Sequence, residues 1–359
     1  MINFEITSKY NNARAGLLHT KHSIIETPVF MPVGTLGSVK GISKDILYKY
    51  NFDILLANTY HLMLRPGMDL IKKFGGLNKF MSWKKAILTD SGGFQIMSLG
   101  KNVKVDDEGV TFRSHIDGNL VRLNAEKSIE IQRNLNATIT MSFDECIPHP
   151  FSHSDTLSSL NRSTNWTKRS LSSYKARKGY GIFGILQGGM HKDLRKKSAE
   201  ELSYLDFDGY AIGGLAVGEG YELMSNITKF STTFLPFEKP RYLMGVGYPK
   251  DILEAVKNGV DMFDCVLPTR SGRTGLAFTS EGYVKIRNAI FSKDNRPLDE
   301  NCDCEICQNY SRAYLHHLVK SSEILGSVFI TQHNLYFYRK LMKKIRDSII
   351  KGNLDNLKL

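Results

Sequence analysis

The stretch DMFDCVLPTRSGRTG, residues 261–275, joins the end of an apolar segment to a cluster of charged side chains. It reads as a buried strand that ends in the carboxylate of Asp264. The chain is then expected to break at Pro268 into a loop that carries Arg270 and Arg273 between small residues. A lone aspartate at a strand end is usually a turn or cap residue. A carboxylate beside two arginines, however, also suits chemistry on a polyanion.

Length and composition describe a globular protein. The chain has 359 residues, 42% of them hydrophobic, which is enough for a large core. No stretch approaches the roughly 18 apolar residues that a membrane-spanning helix needs. The N-terminal MINFEITSKYNNARAG also lacks the basic start and apolar run of a secretion signal. We therefore expect a cytoplasmic protein with no membrane partner.

The net charge is positive. Lys and Arg number 48 against 36 Asp and Glu, a formal net charge of +12, and RKLMKKIR at 339–346 carries five cations. Such an excess favours a nucleic-acid partner. A basic helix face that is merely solvated would explain this local run equally well.

Short apolar runs recur along the chain, and each is followed by a polar or amphipathic stretch of helical length. The runs are continuous rather than alternating, as expected for parallel strands buried on both faces. Repeated strand-then-helix units imply a parallel sheet. The runs lie at 53–60, 85–90, 137–145, 181–189, 209–214, 241–247 and 259–264. Helices are predicted at 125–136, 155–178, 192–205 and 249–259.

The positions of polar and glycine residues favour a closed barrel over an open sheet. In a barrel the carboxyl ends of all strands converge on one mouth, whereas an open sheet places its site at one crevice. Six candidate residues follow separate runs: Asp90, Asp144, Gln187, Gly213, Gly214 and Asp264. The sequence therefore predicts an α/β barrel.

Two regions do not follow the alternation of strand and helix. The first fifty residues, with MPVGTLGSVKG at 31–41, are expected to form entry strands or a hairpin before the repeat begins. The stretch at 295–319 reads as an inserted subdomain. We predict a barrel domain over 1–290 and 335–359, and a separate subdomain over 291–334.

Two motifs supply candidate recognition groups. In TDSGGFQ, residues 89–95, the glycines let backbone approach a ligand closely, and Phe94 can stack on a ring. In SFDEC, residues 142–146, Asp144 can accept two parallel N–H bonds, which a guanine edge offers and an adenine edge does not. Each motif alone is also compatible with an ordinary turn or a solvated acid.

Two further motifs carry amides and glycines. Gln187 in ILQGG can donate to a carbonyl oxygen, and the glycines of AIGGLAVGE, residues 211–219, can expose backbone N–H groups. Their G-G-x-x-x-G spacing matches neither the dinucleotide nor the nucleoside-triphosphate pattern, so we exclude both sites. Asp264 and Asp90 are candidates for a nucleophile and acid/base pair at a sugar carbon, with retention of configuration.

Three of the five cysteines form a metal-binding pattern. Cys302, Cys304 and Cys307 fall within six residues. In a chain without a secretion signal, such spacing favours a metal over disulfides. A histidine would complete a tetrahedral zinc site, and the eligible residues are His316, His317 and His333. With four protein ligands the zinc would be structural.

Taken in order, these motifs together with RYLMGVG at 241–247 closely resemble those of bacterial tRNA-guanine transglycosylases, over nearly the whole chain. The resemblance implies a TIM-like (β/α)8 barrel with a zinc-binding subdomain near the C-terminus. It also implies exchange of the wobble guanine in G-U-N anticodon tRNAs for a 7-deazaguanine base, in queuosine biosynthesis. The implied partners are the tRNA anticodon loop and a second copy of the chain, and no organic cofactor is expected.

The resemblance assigns roles to individual residues. Asp264 would attack the ribose C1′ and form a covalent intermediate, Asp90 would handle the incoming purine's proton, and His333 would be the fourth zinc ligand. The implied base-binding residues are Ser91, Gly92, Gly93, Phe94, Asp144, Gln187, Gly214, Leu215 and Met244. The implied RNA-binding residues are Gly245, Val246, Gly247, Tyr248, Lys250, Thr269, Arg270, Ser271, Gly272 and Arg273.

Some alternatives stay open. Cys146 and Val217 match the bacterial pattern that accepts 7-aminomethyl-7-deazaguanine rather than queuine, but some bacteria salvage queuine. The aromatic segment at 309–318 is either a homodimer surface or a helix packed inside the zinc subdomain.

Two other functions compete with the transglycosylase. A non-catalytic, zinc-containing RNA-binding partner of such an enzyme would lose catalytic acids, whereas Asp90 and Asp264 are both present. A retaining glycosidase acting on free sugars would leave Arg270 and Arg273 without a role.

Overall fold

The computed structural model describes residues 1–100 and 103–357. Elements are numbered in chain order. The strands are β1 (Asn3–Tyr10), β2 (Ala13–His19), β3 (Ile24–Thr27), β4 (Val29–Met31), β5 (Ile54–Ala57), β6 (Ala86–Thr89), β7 (Val103–Asp106), β8 (Gly109–Arg113), β9 (Leu120–Leu123), β10 (Ile139–Met141), β11 (Gly181–Leu186), β12 (Gly209–Ile212), β13 (Arg241–Leu243), β14 (Met262–Asp264), β15 (Leu276–Thr279) and β16 (Gly282–Lys285).

The helices are α1 (Lys44–Lys49), α2 (Thr59–Leu64), α3 (Met68–Lys73), α4 (Leu77–Phe80), α5 (Gly93–Met97), α6 (Ala125–Asn134), α7 (His153–Ser173), α8 (Lys192–Ser203), α9 (Tyr221–Thr232), α10 (Pro249–Lys257), α11 (Leu267–Thr274), α12 (Glu305–Asn309), α13 (Arg312–Lys320) and α14 (Ile324–Ile350). Short 3-10 turns lie at Ala289–Phe291 and Leu354–Asn356.

Eight parallel strands form a barrel whose spatial order follows the chain. The sheet runs β4-β14-β13-β12-β11-β10-β6-β5, and β14 pairs in parallel with β4. A parallel bridge between Val33 and Leu56 joins the two outer strands of that order, just beyond the end of β4. Helices separate successive strands. The predicted TIM-like (β/α)8 barrel is confirmed.

Each of the seven apolar runs predicted as strands contains one barrel strand. The eighth, β4, lies in the region that we expected only to precede the repeat, so that expectation was wrong for this segment. The cause is local: β4 is three residues long and lies between Pro28 and Pro32, so no continuous apolar run marks it. The entry strands β1, β2 and β3 form a separate antiparallel sheet.

The predicted loop after Pro268 is a helix, and this corrects the sequence interpretation. Proline lies in the first turn of α11, where a missing N–H removes no helical hydrogen bond. The helix ends at Gly275, whose φ of 84° is left-handed. Gly272 faces α14 so closely that an added Cβ would lie 2.5 Å from the Thr331 hydroxyl oxygen. The small residues between the arginines therefore serve helix packing.

Helix α14 lies across α11, β15 and the entry strands, and it contains His333. The basic run at 339–346 belongs to this helix, and several of its cations have partners within the chain. Lys340 pairs with Asp303 at 3.0 Å, and Lys343 pairs with Asp347 at 3.0 Å. That run is thus partly neutralised by neighbouring acids.

The continuous α14 crosses from residue 334 to 335, where the domain division was predicted. The division stays a prediction, and the last two residues of its barrel segment, 358 and 359, lie outside the described residues.

Buried side chains close the end of the barrel that lies opposite the carboxyl ends of the strands. Arg14 and Asp261, both fully buried, form an ion pair beneath β14, and the Arg241 backbone N–H also donates to Asp261 at 2.7 Å. The Arg241 guanidinium donates to the Leu235 carbonyl at 2.7 Å. Apolar side chains from the strands fill the interior, including Met31, Leu56, Leu88, Met141, Ile185, Ala211 and Met262. Across the described segments, no helix is long and apolar enough to cross a membrane.

Candidate active site

A cavity of about 510 Å³ lies at the carboxyl ends of the barrel strands. It brings together predicted site residues that are far apart in sequence. Those that line it are Asp90, Ser91, Gly92, Phe94, Asp144, Gly214, Leu215, Met244, Gly245, Asp264, Thr269, Arg270 and Arg273. Those outside its lining are Gly93, Gln187, Val246, Gly247, Tyr248, Lys250, Ser271 and Gly272.

Asp264 is held by two donors on one carboxylate oxygen. The Tyr242 hydroxyl donates to Oδ1 at 2.5 Å, and the Gly245 backbone N–H donates to the same atom at 2.9 Å. Among the described residues, none donates a hydrogen bond to Oδ2. Burial raises the pKa of Asp264, and the two hydrogen bonds oppose that rise. The arrangement fixes the carboxylate and leaves one oxygen available to a ligand.

Asp90 is the second acid of the cavity. Its Oδ2 accepts from Asn58 Nδ2 at 2.5 Å and from Gln95 Nε2 at 2.8 Å, while Oδ1 accepts from the Thr59 N–H at 2.8 Å. Burial raises the pKa of Asp90 to about 6, and the charge of Asp264 adds to the rise. A carboxyl group with a pKa near 6 can both accept and donate a proton close to neutrality.

Two cysteines also line the cavity, but neither is suited to act as a nucleophile. Burial raises the pKa of the Cys146 thiol to about 12 and that of Cys265 to about 11. Since the thiolate is the nucleophilic form, both groups are inert near neutral pH. Asp264 is therefore the better nucleophile candidate.

Asp144 lies buried beside the two acids and is held on both oxygens. Ser91 Oγ donates to Oδ1 and Gln187 Nε2 donates to Oδ2, each at 2.7 Å. We expected the Gln187 amide to donate to a ligand carbonyl, whereas here it donates to Asp144. The other amide atom, Gln187 Oε1, is buried and has no hydrogen-bond partner among the described residues. Burial raises the pKa of Asp144.

Sequence reasoning missed several supporting residues. Asn58 follows β5 directly, so the strand-end signal that identified Asp90 could have found it. Tyr242 lies inside an apolar run, and no sequence signal marks it. The Glu145–Arg162 ion pair, with bonds of 2.8 and 3.0 Å, anchors the segment after β10 to α7, and it depends on tertiary packing.

The predicted RNA-binding residues divide into exposed and packed groups. Tyr248, Lys250 and Arg270 are exposed. Ser271 and Gly272 are buried, and Gly272 packs against α14. The exposed group therefore offers the contacts that a large ligand could reach.

A possible metal centre lies away from the cavity. The ligand atoms of Cys302, Cys304, Cys307 and His333 all lie within 4.8 Å of one another. His333 Nδ1 is 3.8, 3.4 and 3.3 Å from the three sulfurs in that order. His333 Nε2 lies 2.7 Å from the Phe278 carbonyl, which fixes the ring with Nδ1 toward the sulfurs. This group could hold one metal ion, and neither His316 nor His317 belongs to it.

The family model and the relatives that match this chain all carry the same name. The family model described as Queuine tRNA-ribosyltransferase matches residues 9–359. A protein of that name from Rickettsia bellii (strain OSU 85-389) is 54% identical over 349 residues, covering 97% of each chain. Its namesake from Rickettsia rickettsii (strain Sheila Smith) is 53% identical over 349 residues, with the same coverage.

A third relative of that name, from Zymomonas mobilis subsp. mobilis, is 52% identical over 356 residues, 98% of this chain and 92% of that protein. Since the family match spans nearly the whole chain and these relatives are more than half identical across it, the chain belongs to the queuine tRNA-ribosyltransferase family.

Proposed function

We propose that this chain is a tRNA-guanine transglycosylase that exchanges the wobble guanine of tRNAs with G-U-N anticodons for a 7-deazaguanine base, in queuosine biosynthesis. One observation carries the proposal: Asp90 and Asp264 share a single cavity with a buried third carboxylate, Asp144, suited to a purine edge. Family membership supports tRNA as the partner and ribosyl transfer as the reaction class.

Two displacements account for the exchange. In the first, an oxygen of Asp264 bonds to C1′ of the ribose while the C1′–N9 bond breaks. The electron pair of that bond passes to the guanine, and Asp90 in its protonated form supplies the proton that guanine takes up. In the second, the incoming base attacks C1′, gives its N9 proton to Asp90, and releases Asp264. Two inversions retain the configuration.

The hydrogen bonds of Asp264 suit this role. Tyr242 and Gly245 both occupy Oδ1, so attack would come from Oδ2 without loss of the orienting bonds. The pKa of Tyr242 lies well above its ordinary value because of burial and the adjacent Asp264, so its hydroxyl stays a neutral donor. Preorganised donors of this kind need no rearrangement during reaction.

The base would be bound after leaving the anticodon stack. Asp144 would accept the two parallel N–H bonds of a guanine edge. Burial raises the pKa of Asp144, and these two N–H donors would lower it again, so the carboxylate would stay ionised. Phe94, 54% exposed, and Met244 line the cavity and would pack on the two faces of the ring.

The RNA would meet two cations at the cavity, the exposed Arg270 and the half-buried Arg273. Arg270 and Arg273 line it on α11, and Tyr248 and Lys250 lie on the segment that follows β13. Arginines and aromatic side chains are the groups that bind single-stranded RNA loops. We propose that they hold the anticodon nucleotides.

The metal is proposed to be zinc. Three thiolates and one imidazole form a soft tetrahedral donor set that suits zinc. Four protein ligands leave no open position, so the ion would hold the cysteine segment to α14 and would take no part in the reaction.

Three finer features remain proposals. Cys146, which lines the cavity, and Val217 match the bacterial pattern, and this match supports 7-aminomethyl-7-deazaguanine as the native base. In the segment at 309–318, Tyr310 stacks within the chain on Phe329, at 4.6 Å between ring centroids. We propose homodimerisation through the exposed side of this segment, and action in the cytoplasm.

The direct test is incorporation of labelled guanine into tRNA with G at the wobble position. The wild type should exchange guanine, and Asp264→Asn should reduce the rate at least about 1,000-fold because the nucleophile is lost. Asp251→Asn, which removes a carboxylate outside the cavity lining, is the matched control and should keep the wild-type rate. No exchange by the wild type would refute the enzyme proposal and favour a binding protein.

A second prediction concerns pH. Below pH 6 Asp90 is mostly protonated and cannot accept the incoming base's proton, so the second displacement should slow about tenfold per pH unit and level off above pH 6. This step is measured in single-turnover experiments, in which an added purine base releases the tRNA from a preformed enzyme–tRNA adduct. Asp90→Asn should remove the profile, while Asp208→Asn, whose pKa is also raised by burial, should keep it. A profile unchanged in Asp90→Asn would assign the proton to another group.

A third prediction tests the RNA contact. Arg270→Ala should weaken tRNA binding and lower the slope of log Kd against log salt by about 1, since one phosphate contact is lost. Lys340→Ala removes an equal charge from a position already paired with Asp303, and it should leave the slope unchanged. Equal slopes for Arg270→Ala and the wild type would exclude a phosphate contact there.

A fourth prediction tests the metal. The purified wild type should contain about one zinc per chain by elemental analysis. Cys304→Ala should lose most of it and unfold at a lower temperature, because three ligands and a buried gap remain. Cys265→Ala, a cysteine outside the cluster, should retain the metal. Full zinc content in Cys304→Ala would disprove the ligand assignment.

A further inference from the structure

Arg195 is a fully buried arginine on α8, within a sequence, KDLRKK, that looks like a solvated charged face. Its guanidinium is surrounded by backbone carbonyls from the end of β11 and from the segments that follow β11 and β12. Nε donates to Gly189 at 2.8 Å, and Nη1 donates to Leu186 at 3.0 Å and to Gly213 at 2.8 Å. Nη2 approaches the Gly214 carbonyl at 3.4 Å.

This cation has no carboxylate partner within 4.0 Å in the part of the chain that the structure describes. Buried charges are normally paired, because removing them from water is unfavourable. Burial lowers the pKa of Arg195 to about 10, so the group stays charged near neutrality. Its four carbonyl contacts and the charge of Glu219 support this cation, and its position behind Gly213 and Gly214, which line the cavity, indicates a role beyond packing.

The geometry of the peptide bond supplies an explanation for the buried Arg195. In a trans peptide the C=O and the following N–H point in opposite directions. The Gly213 carbonyl faces Arg195, so the Gly214 N–H points away from Arg195. The Gly214 carbonyl also faces Arg195, so the Leu215 N–H points away from it as well. Gly214 and Leu215 both line the cavity, as does Cys146. Both N–H groups are thus turned away from Arg195, in residues that line the cavity.

The backbone at this point has no room for a side chain. Gly214 has a φ of 64°, in the left-handed region, and an added Cβ would collide with Gln187 Oε1. Arg195 bonds to carbonyls on both segments, so it fixes the β12 segment to the β11 segment.

We infer that Arg195 is a positioning residue that orients the Gly214 and Leu215 N–H groups toward the carbonyl oxygen of the purine and places a positive charge behind them. This inference rests on the proposed function. When Asp264 bonds to C1′ and the C1′–N9 bond breaks, the electron pair enters the purine ring and part of the charge reaches that oxygen. Fixed N–H dipoles backed by a cation stabilise such charge.

The test compares two variants of Arg195 with a matched control. Arg195→Lys keeps the charge but loses the planar fork of donors, and Arg195→Gln removes the charge. Arg241→Lys is the control: Arg241 is also buried, its pKa is also lowered to about 10, and it also donates to carbonyls, but it lies at the other end of the barrel. Exchange kinetics and thermal unfolding are measured for all of them.

We expect kcat/KM for guanine to fall roughly tenfold in Arg195→Lys and roughly 100-fold in Arg195→Gln, with KM for tRNA unchanged. Arg241→Lys should lose comparable thermal stability yet keep the wild-type kcat/KM for guanine. If Arg195→Lys does not fold, Arg195→Gln carries the comparison.

A second readout uses 2-aminopurine as a competing ligand. It lacks the carbonyl oxygen and also the ring N1–H that would bind Asp144, and the second difference is the same in the wild type and in every Arg195 variant. Its inhibition constant should be nearly the same in the wild type and the Arg195 variants, whereas that of guanine should rise. Equal weakening of both ligands, or an equal loss in Arg241→Lys, would overturn the inference. If the wild type does not exchange guanine, both the proposed function and this inference are refuted. If it does, the data on the Arg195 variants decide this inference alone.

Discussion

Closure of the parallel barrel is the constraint on which the site depends. Pairing of β14 (Met262–Asp264) with β4 (Val29–Met31), completed by the Val33–Leu56 bridge, forces the carboxyl ends of all eight strands into one ring. Asp90 and Asp264 are distant in sequence, yet both line the cavity at this ring. The packed apolar interior makes the ring a stiff frame for them.

Desolvation is the second determinant of the chemistry. The cavity buries three carboxyl groups, and burial raises the pKa of Asp90, Asp144 and Asp264 alike. Each therefore has hydrogen-bond donors that oppose the rise, and those donors also orient it. The donors differ: amide groups hold both oxygens of Asp90, while the Tyr242 hydroxyl and the Gly245 N–H hold a single oxygen of Asp264. Environments of this kind can assign proton transfer to one acid and nucleophilic attack to another.

Much of this could be predicted because parallel strands leave a simple trace. Seven barrel strands are continuous apolar runs, and polar residues at their ends marked the cavity. The family resemblance, carried by those motifs, is confirmed by the family match. Strand β4 escaped notice because two prolines flank only three residues, and α11 was mistaken for a loop because Pro268 lies in its first turn. The burial of Arg195 depends on contacts between α8 and two strand ends, which no local pattern encodes.

The central claim is that Asp264 forms the covalent bond to ribose. The most direct measurement is to denature the enzyme during turnover on tRNA, digest the trapped adduct, and identify the modified residue by mass spectrometry. The account predicts a ribose-linked nucleotide on the peptide that contains Asp264, at that side chain. A nucleotide attached to Asp90, Cys146 or Cys265 instead would contradict it.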